Sequence, residues 1–208
     1  MLVVGLTGNY GMGKSTVLPV FEKLGAITLD TDRIVGLLLT EDDVIGKIRG
    51  LLGDGVFKNG GGIDKKKVAD LVFKDDSLRH ALEDILHPIV FERINIFLDK
   101  PESKDKVIII AAPLLFERGY ENRFDRTITI RTKEETALSR LKKEGIKIDK
   151  ALVRLKAQLP IEEKIKRSDF VIDNNGTIEE TMAQVEMIYK KLGEAKDENN
   201  QGARSPKQ

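Results

Sequence analysis

Near the start of the chain, Gly8-Asn9-Tyr10-Gly11-Met12-Gly13-Lys14-Ser15 fits the pattern G-x-x-x-x-G-K-[ST]. Each residue type in it serves the holding of phosphate. Glycines at 8, 11 and 13 let successive backbone N–H groups turn inward as a nest, and a following helix presents its positive end to the same anion. Lys14 has the reach to meet a β- or γ-phosphate, and the Ser15 hydroxyl is of the type that joins a Mg²⁺ shell. Met12 and Thr16 belong to the same cradle. The expectation is a nucleotide-phosphate site working with Mg²⁺.

Asp30 and Asp32 stand two residues apart after a short apolar run. In an extended segment both side chains point the same way, and the carboxyl ends of strands are where open α/β sheets bind ligands. A carboxylate there can accept a proton from an attacking hydroxyl or hold metal-bound water. The competing role is structural, since either acid could cap a helix beginning near Arg33. The upstream P-loop pattern tilts Asp32 toward chemistry.

These residues need a scaffold, and the apolar runs supply one. Leu2-Val3-Val4-Gly5-Leu6-Thr7 is a continuous apolar stretch ending at glycine, as in a strand buried on both faces. Further strands are predicted over 26–29, 106–112, 126–130 and 170–173. Helical patterns are predicted over 14–24, 133–144, 149–159 and 177–192, with Pro19 expected to kink the first. The alternation predicts an α/β fold with a five-stranded parallel sheet between helical layers. The stretch from 33 to 101 is too long for one crossover and reads as a helical lobe broken at Asn59-Gly60-Gly61-Gly62. His87, preceding Pro88, is biased toward an extended or helix-ending conformation. The polar tail over 194–208 is expected to be disordered.

The chain has 208 residues, long enough for a single domain with an inserted lobe. Lys+Arg of 35 against Asp+Glu of 34 leaves a net charge of +1, so no global field favours nucleic acid or a membrane surface. With no cysteine and two histidines, His80 and His87, disulfides, thiolate sites and multi-histidine zinc sites are excluded. No apolar run approaches a membrane span, and the N-terminus does not read as a signal peptide. The expectation is a cytoplasmic protein whose partners are small molecules, with no signal for a protein partner.

From about Leu2 to Gly176 the sequence resembles the dephospho-coenzyme A kinases. The resemblance rests on the P-loop, Asp30-Thr31-Asp32, Leu86-His87-Pro88, Pro113-Leu114-Leu115-Phe116-Glu117, Arg140-Leu141, Gln158-Leu159-Pro160 with Glu163-Lys164, and Ser168 through Gly176. It implies a three-layer P-loop kinase fold: a core over 1–32 and 102–193, an acceptor-binding lobe over about 33–101, and a helical lid over about 139–167. It implies ATP-dependent phosphorylation of the ribose 3′-hydroxyl of dephospho-CoA, giving coenzyme A and ADP. Asp32 matches the family's catalytic base and Arg140 a lid arginine near the transferring phosphoryl group. Asn175 and Gly176 match the loop that lines the adenine pocket, and His87 matches a position in the acceptor lobe.

The chain departs from the family pattern in three places. Ala111 stands where an aspartate is frequent, leaving Ser15 and the Asp30/Asp32 pair to carry more of a Mg²⁺ shell. Gly36 stands where an arginine is common, so Arg33 or another cation must substitute or acceptor binding weakens. Asn9-Tyr10 replaces the more usual Gly-Ile, so Asn9 must adopt whatever φ the glycine used. Glu117 reads as a capping or salt-bridging acid. The cations Lys142, Lys143, Arg154, Lys156, Lys164, Lys166 and Arg167 read as a solvated face with some members turning inward on closure, and Lys65-Lys66-Lys67 as solvated surface. Leu138, Leu141, Leu152 and Leu155 read as core. Two alternatives stay open: a kinase for another small acceptor such as a nucleoside monophosphate, and a non-catalytic ATP-dependent binding module, which the missing acid at 111 would suit.

Overall fold

The computed structural model describes the backbone of residues 1–202 and the side chains of residues 1–197. The chain divides into two compact units. One comprises Met1–Leu29 with the chain from Pro101 onward, the other Asp30–Lys100.

The first unit is built on strands β1 (Leu2–Thr7), β2 (Ile27–Asp30), β3 (Val107–Ala111), β4 (Arg126–Arg131) and β5 (Phe170–Asp173), ordered β2-β3-β1-β4-β5. β1 pairs in parallel with β3, Leu2 opposite Val107, and with β4, Val4 opposite Arg126; β4 pairs in parallel with β5. This is the expected five-stranded α/β sheet. The apolar runs behave as read: every residue of β3 is buried, as are Leu2, Val4 and Leu6 of β1. One face of the sheet packs on α1 (Lys14–Lys23) through Val17 and Phe21, and on α9 (Ile178–Gly202) through Val185, Ile188 and Leu192. Each such aliphatic side chain removed from water contributes roughly 1.5–3 kcal/mol. Ala112, Leu115 and Phe116 form a smaller cluster with Phe124 and Leu159. The remaining helices of this unit are α6 (Glu134–Lys143), α7 (Ile148–Lys156) and α8 (Ile161–Arg167).

The second unit contains α2 (Thr31–Leu38), α3 (Asp42–Leu52), α4 (Lys65–Val72) and α5 (Asp76–Leu98). α5 is its spine, and α2, α3 and α4 pack on it. Asp64 caps α4 by accepting from Lys66 N and Lys67 N, and Asp75 caps α5 by accepting from Ser77 N and Leu78 N. The expected glycine turn is present, with Gly61 and Gly62 at φ of 81° and 79°, beside an antiparallel bridge between Phe57 and Ile63.

Two local expectations are corrected. α5 runs unbroken through His87 and Pro88, because Leu82, Leu86, Val90 and Ile94 form a buried stripe that continuing the helix preserves, while Pro88 faces outward. α1 is one helix with Pro19 inside it, its ring exposed between buried Leu18 and Val20. α9 continues through Glu194 to Gly202, so the residues expected to begin a disordered tail are helical; 203–208 lie outside the described residues.

Candidate phosphate-binding site

β1 ends at Thr7 and α1 begins at Lys14, so the glycine pattern occupies the connection between a buried strand and a helix N-terminus. Gly8, Gly11 and Gly13 all have positive φ, at 148°, 80° and 102°. A Cβ at Gly13 would stand 2.1 Å from Asn174 Nδ2, and one at Gly8 would stand 2.6 Å from the Ile130 carbonyl oxygen. Glycine is therefore required by both backbone conformation and space. Asn9 is not at positive φ; among the described residues the only non-glycine there is Asp105, so replacing the family glycine with Asn9 strains nothing.

Lys14 opens α1 and its Nζ donates to the carbonyls of Gly8 at 2.5 Å and Asn9 at 3.3 Å. The ammonium thus lies across the loop it serves. Ser15 and Thr16 are exposed on the first turn of α1, and Met12 is buried beneath the loop. Thr16 N and Val17 N both bond to Gly13 O, starting the helix at the loop's last glycine.

The loop is held from two sides. On one, Asn174, just past β5, donates through Nδ2 to Met12 O at 3.0 Å and accepts from Thr181 Oγ1 at 3.1 Å. Arg140 on α6 donates to Asn174 O at 3.0 Å, which brings the expected lid arginine to the residue that holds the loop. On the other side Asn9 Nδ2 donates to Leu159 O at 3.0 Å, and Tyr10 N donates to Gln158 Oε1 at 2.8 Å. Arg154 of α7 lies over the Tyr10 ring, 4.8 Å from its centroid.

Asn175 is tied into the turn after β5. Its Oδ1 accepts from Lys133 N at 2.7 Å, and its backbone N donates to Asp173 Oδ1 at 3.0 Å. Burial alone would push the Asp173 carboxyl up, but hydrogen bonds from Arg131 and Asn175 outweigh it and hold the carboxyl below its ordinary value. At Gly176 a Cβ would collide with Glu180 Oε2, which accepts from Thr177 N at 2.8 Å.

In the second unit, α2 begins at Thr31, two residues before the start expected near Arg33. Asp30 is its N-cap, accepting from Asp32 N at 2.9 Å, and Asp32 lies in the first helical turn. Capping therefore falls to Asp30 and does not account for the Asp32 carboxylate. Gly36 is one turn on, and a Cβ there would stand 3.5 Å from Lys65 Nζ, so an ammonium borders the position that lacks the family's arginine. Lys65, Lys66 and Lys67 are exposed as expected. His87 is half-buried on α5.

Sequence reasoning missed what sets the loop's posture. Asn174 stands within Asp173-Asn174-Asn175-Gly176, where the resemblance points to Asn175 and Gly176 and not to Asn174. Lys164, read among solvated or inward-turning cations, has no exposure at all and pairs with Glu117 at 2.8 Å. The signal available was its place beside Ile161 and Ile165 on a short helix. Of the four leucines read as core, Leu141 and Leu155 are buried together with Ala137 and Ala151, while Leu138 and Leu152 are half-buried.

A model of the dephospho-CoA kinase family matches residues 2–180. The dephospho-CoA kinase of Aquifex aeolicus is 40% identical over 190 residues, which span 91% of this chain and 96% of that protein. A crystal structure from Thermus thermophilus superposes with a TM-score of 0.77 at 30% identity, covering 92% of this chain and 97% of that one. The dephospho-CoA kinase from Campylobacter jejuni superposes with a TM-score of 0.67 at 26% identity, covering 93% and 98%.

Proposed function

The chain belongs to the dephospho-CoA kinase family, and from that premise we propose how its own residues divide the work of transferring a phosphoryl group from ATP to dephospho-CoA. The reaction places the γ-phosphoryl group on the ribose 3′-hydroxyl and gives coenzyme A and ADP, the last step of coenzyme A formation. Phosphoryl transfer asks little covalent help of a protein, so the residues act by positioning and by neutralising charge.

The amides of Gly8 to Thr16 cradle the phosphates, and Lys14 exchanges its contacts with Gly8 O and Asn9 O for β- and γ-phosphate oxygens. Asp32 accepts the proton of the acceptor hydroxyl or orients that hydroxyl for attack. Arg140, anchored on Asn174 O, meets charge developing on the transferring group. Asn175 and Gly176 border the adenine, and His87 serves the acceptor in the helical lobe. Lys65 supplies a cation near Gly36 that offsets the absent arginine. The segment over 139–167 acts as a lid that excludes water during transfer.

A Mg²⁺ ion fits these residues. Among the described residues no group of three or more His, Cys, Asp or Glu side chains could hold a metal, so no all-protein cage competes with the phosphates. Mg²⁺ characteristically keeps several waters and relies on substrate phosphates plus one or two protein oxygens. Ser15, exposed on the first turn of α1, is the side chain that would hold it, where it would supply charge neutralisation on the phosphates.

The observation that carries this reading is the seating of Gly8–Ser15 between β1 and α1, with glycine at each positive-φ position. No described helix is long and apolar enough to cross a membrane, and a cytoplasmic site of action suits substrates that are soluble metabolites. The decisive experiment is coupled ADP release from ATP and Mg²⁺, with and without dephospho-CoA. ADP release that depends on dephospho-CoA is the expected result. Release that answers instead to a nucleoside monophosphate, or ATP binding with no acceptor-dependent release, would overturn it.

A further inference from the structure

Beneath the α7–α8 connection lies a buried ion pair that the transfer chemistry does not use. The Lys164 side chain has no solvent exposure; its Nζ is 2.8 Å from Glu117 Oε1 and donates to Pro113 O at 3.0 Å. Burial pulls the Lys164 ammonium below its ordinary pKa, against the opposing pull of Glu117. Glu117 comes from the turn after β3, Lys164 from α8. A pair this deep is weak evidence for stability, because desolvating two charges offsets most of their attraction. Its geometry suggests a positional use.

Glu117 Oε1 also accepts the Leu159 N–H at 3.0 Å. The Leu159 carbonyl in turn accepts Asn9 Nδ2 at 3.0 Å, and the neighbouring Gln158 Oε1 accepts the Tyr10 N–H at 2.8 Å. Two successive P-loop residues therefore hang from two successive residues of the α7–α8 connection, which hangs from a buried carboxylate. Both polar backbone groups of Leu159 are committed, one to the acid and one to the loop. Asn9 itself is 6% exposed; its carbonyl accepts from Met12 N and Lys14 Nζ within the loop, while its Oδ1 has no partner among the described residues, so the donation to Leu159 is what ties its side chain to the α7–α8 connection.

We infer that Glu117, held by Lys164, is a positioning residue for the phosphate cradle, acting through Gln158–Leu159 on Asn9 and Tyr10. The inference rests on the reading of Gly8–Ser15 as the ATP cradle. It makes the α7–α8 connection a strut that presets the loop, so the conformational cost of ordering Asn9 and Tyr10 is met before ATP arrives.

The test is ATP binding by calorimetry on the full chain, beside thermal melts and steady-state kinetics. Glu117→Leu combined with Lys164→Leu removes both charges together, leaves no unpaired buried ion, and cuts the strut at Leu159. Asn9→Ala cuts it at the loop. Each is expected to raise the Kd for ATP about tenfold, the equivalent of losing one or two hydrogen bonds, while the KM for dephospho-CoA stays within twofold. Combining all three substitutions should raise the Kd no further than either set alone, because both interrupt one chain. An ATP Kd within twofold of the parent, effects that multiply, or an equal rise in both substrates' constants would overturn the inference. Should the leucine pair fail to fold, Asn9→Ala and Gln158→Ala decide alone: weaker ATP binding at unchanged Tm supports the strut, and unchanged binding sinks it. Failure of the kinase reading looks different, as loss of dephospho-CoA-dependent ADP release in the parent protein, and leaves the ATP Kd readout intact.

Discussion

At Gly13 two demands meet on one residue. Its φ of 102° disfavours any L side chain, and a Cβ would lie 2.1 Å from the Asn174 amide that holds Met12 O. Gly13→Ala is therefore expected to cost about 2 kcal/mol or more and to weaken ATP binding together with the Tm. Gly60→Ala is the control, since nothing lies within 4 Å of its Cβ position; its melt should match the parent within about 0.5 kcal/mol. The charged residues separate by which kinetic constant they move. Asp32→Asn should lower kcat on the order of 10²–10⁴-fold with the ATP Kd near normal, read by coupled ADP release; full activity in that variant would remove Asp32 as the base. Lys14→Ala should weaken ATP binding and lower the rate together, because in the proposed mechanism its ammonium acts on phosphate in both ground and transition states.

Among the elements, helix ends follow local chemistry closely. Thr177 and Glu180 form a capping box at the start of α9: Glu180 N donates to Thr177 Oγ1 at 3.2 Å, and Thr177 N donates to Glu180 Oε2 at 2.8 Å. Thr177→Ala should destabilise the protein by about 1 kcal/mol in urea unfolding, with no change in the slope against denaturant. Helix interiors obey packing instead. The residue pair His87-Pro88 carries a real bias against helix, and α5 overrides it because ending there would expose the Leu82-Leu86-Val90-Ile94 stripe. The same competition explains α9: Glu194–Gly202 has few apolar residues, and a helix already nucleated and docked through Val185, Ile188 and Leu192 extends one residue at a time without a new nucleus.

For the molecule as a whole, acid sensitivity has an identifiable contributor at the sheet edge. Asp173 ends β5, pairs with Arg131 of β4 with Nε at 3.0 Å, and has its carboxyl held below its ordinary value. A depressed folded-state pKa stabilises the native protein above the unfolded pKa, about 3.9, and that stabilisation is lost as pH falls through the folded value. Arg131→Ala should thus lower the Tm at neutral pH, and the gap from the parent should close as melts are repeated below about pH 4. A gap that widened in acid would show that Arg131 acts on stability by another route.

The glycine-rich loop, the five strands and the inserted helical lobe are readable from residue order, because each depends on local terms: glycine freedom, a capping or turn residue, and the period of apolar side chains. Asp30, Thr31 and Asp32 were legible in the same way, as an acid pair at a strand-to-helix junction, though which one caps required the backbone. Only the folded chain shows that Lys164 is buried against Glu117, that Asn174 holds Met12, and that Gln158 and Leu159 hold Tyr10 and Asn9. Those partners lie between roughly 50 and 160 positions apart in the chain, a separation at which no local rule of period or propensity acts. A lysine on a short charged helix reads as solvated until the fold closes over it, and a loop's posture is set by whatever distant groups its polar atoms must meet once water is gone.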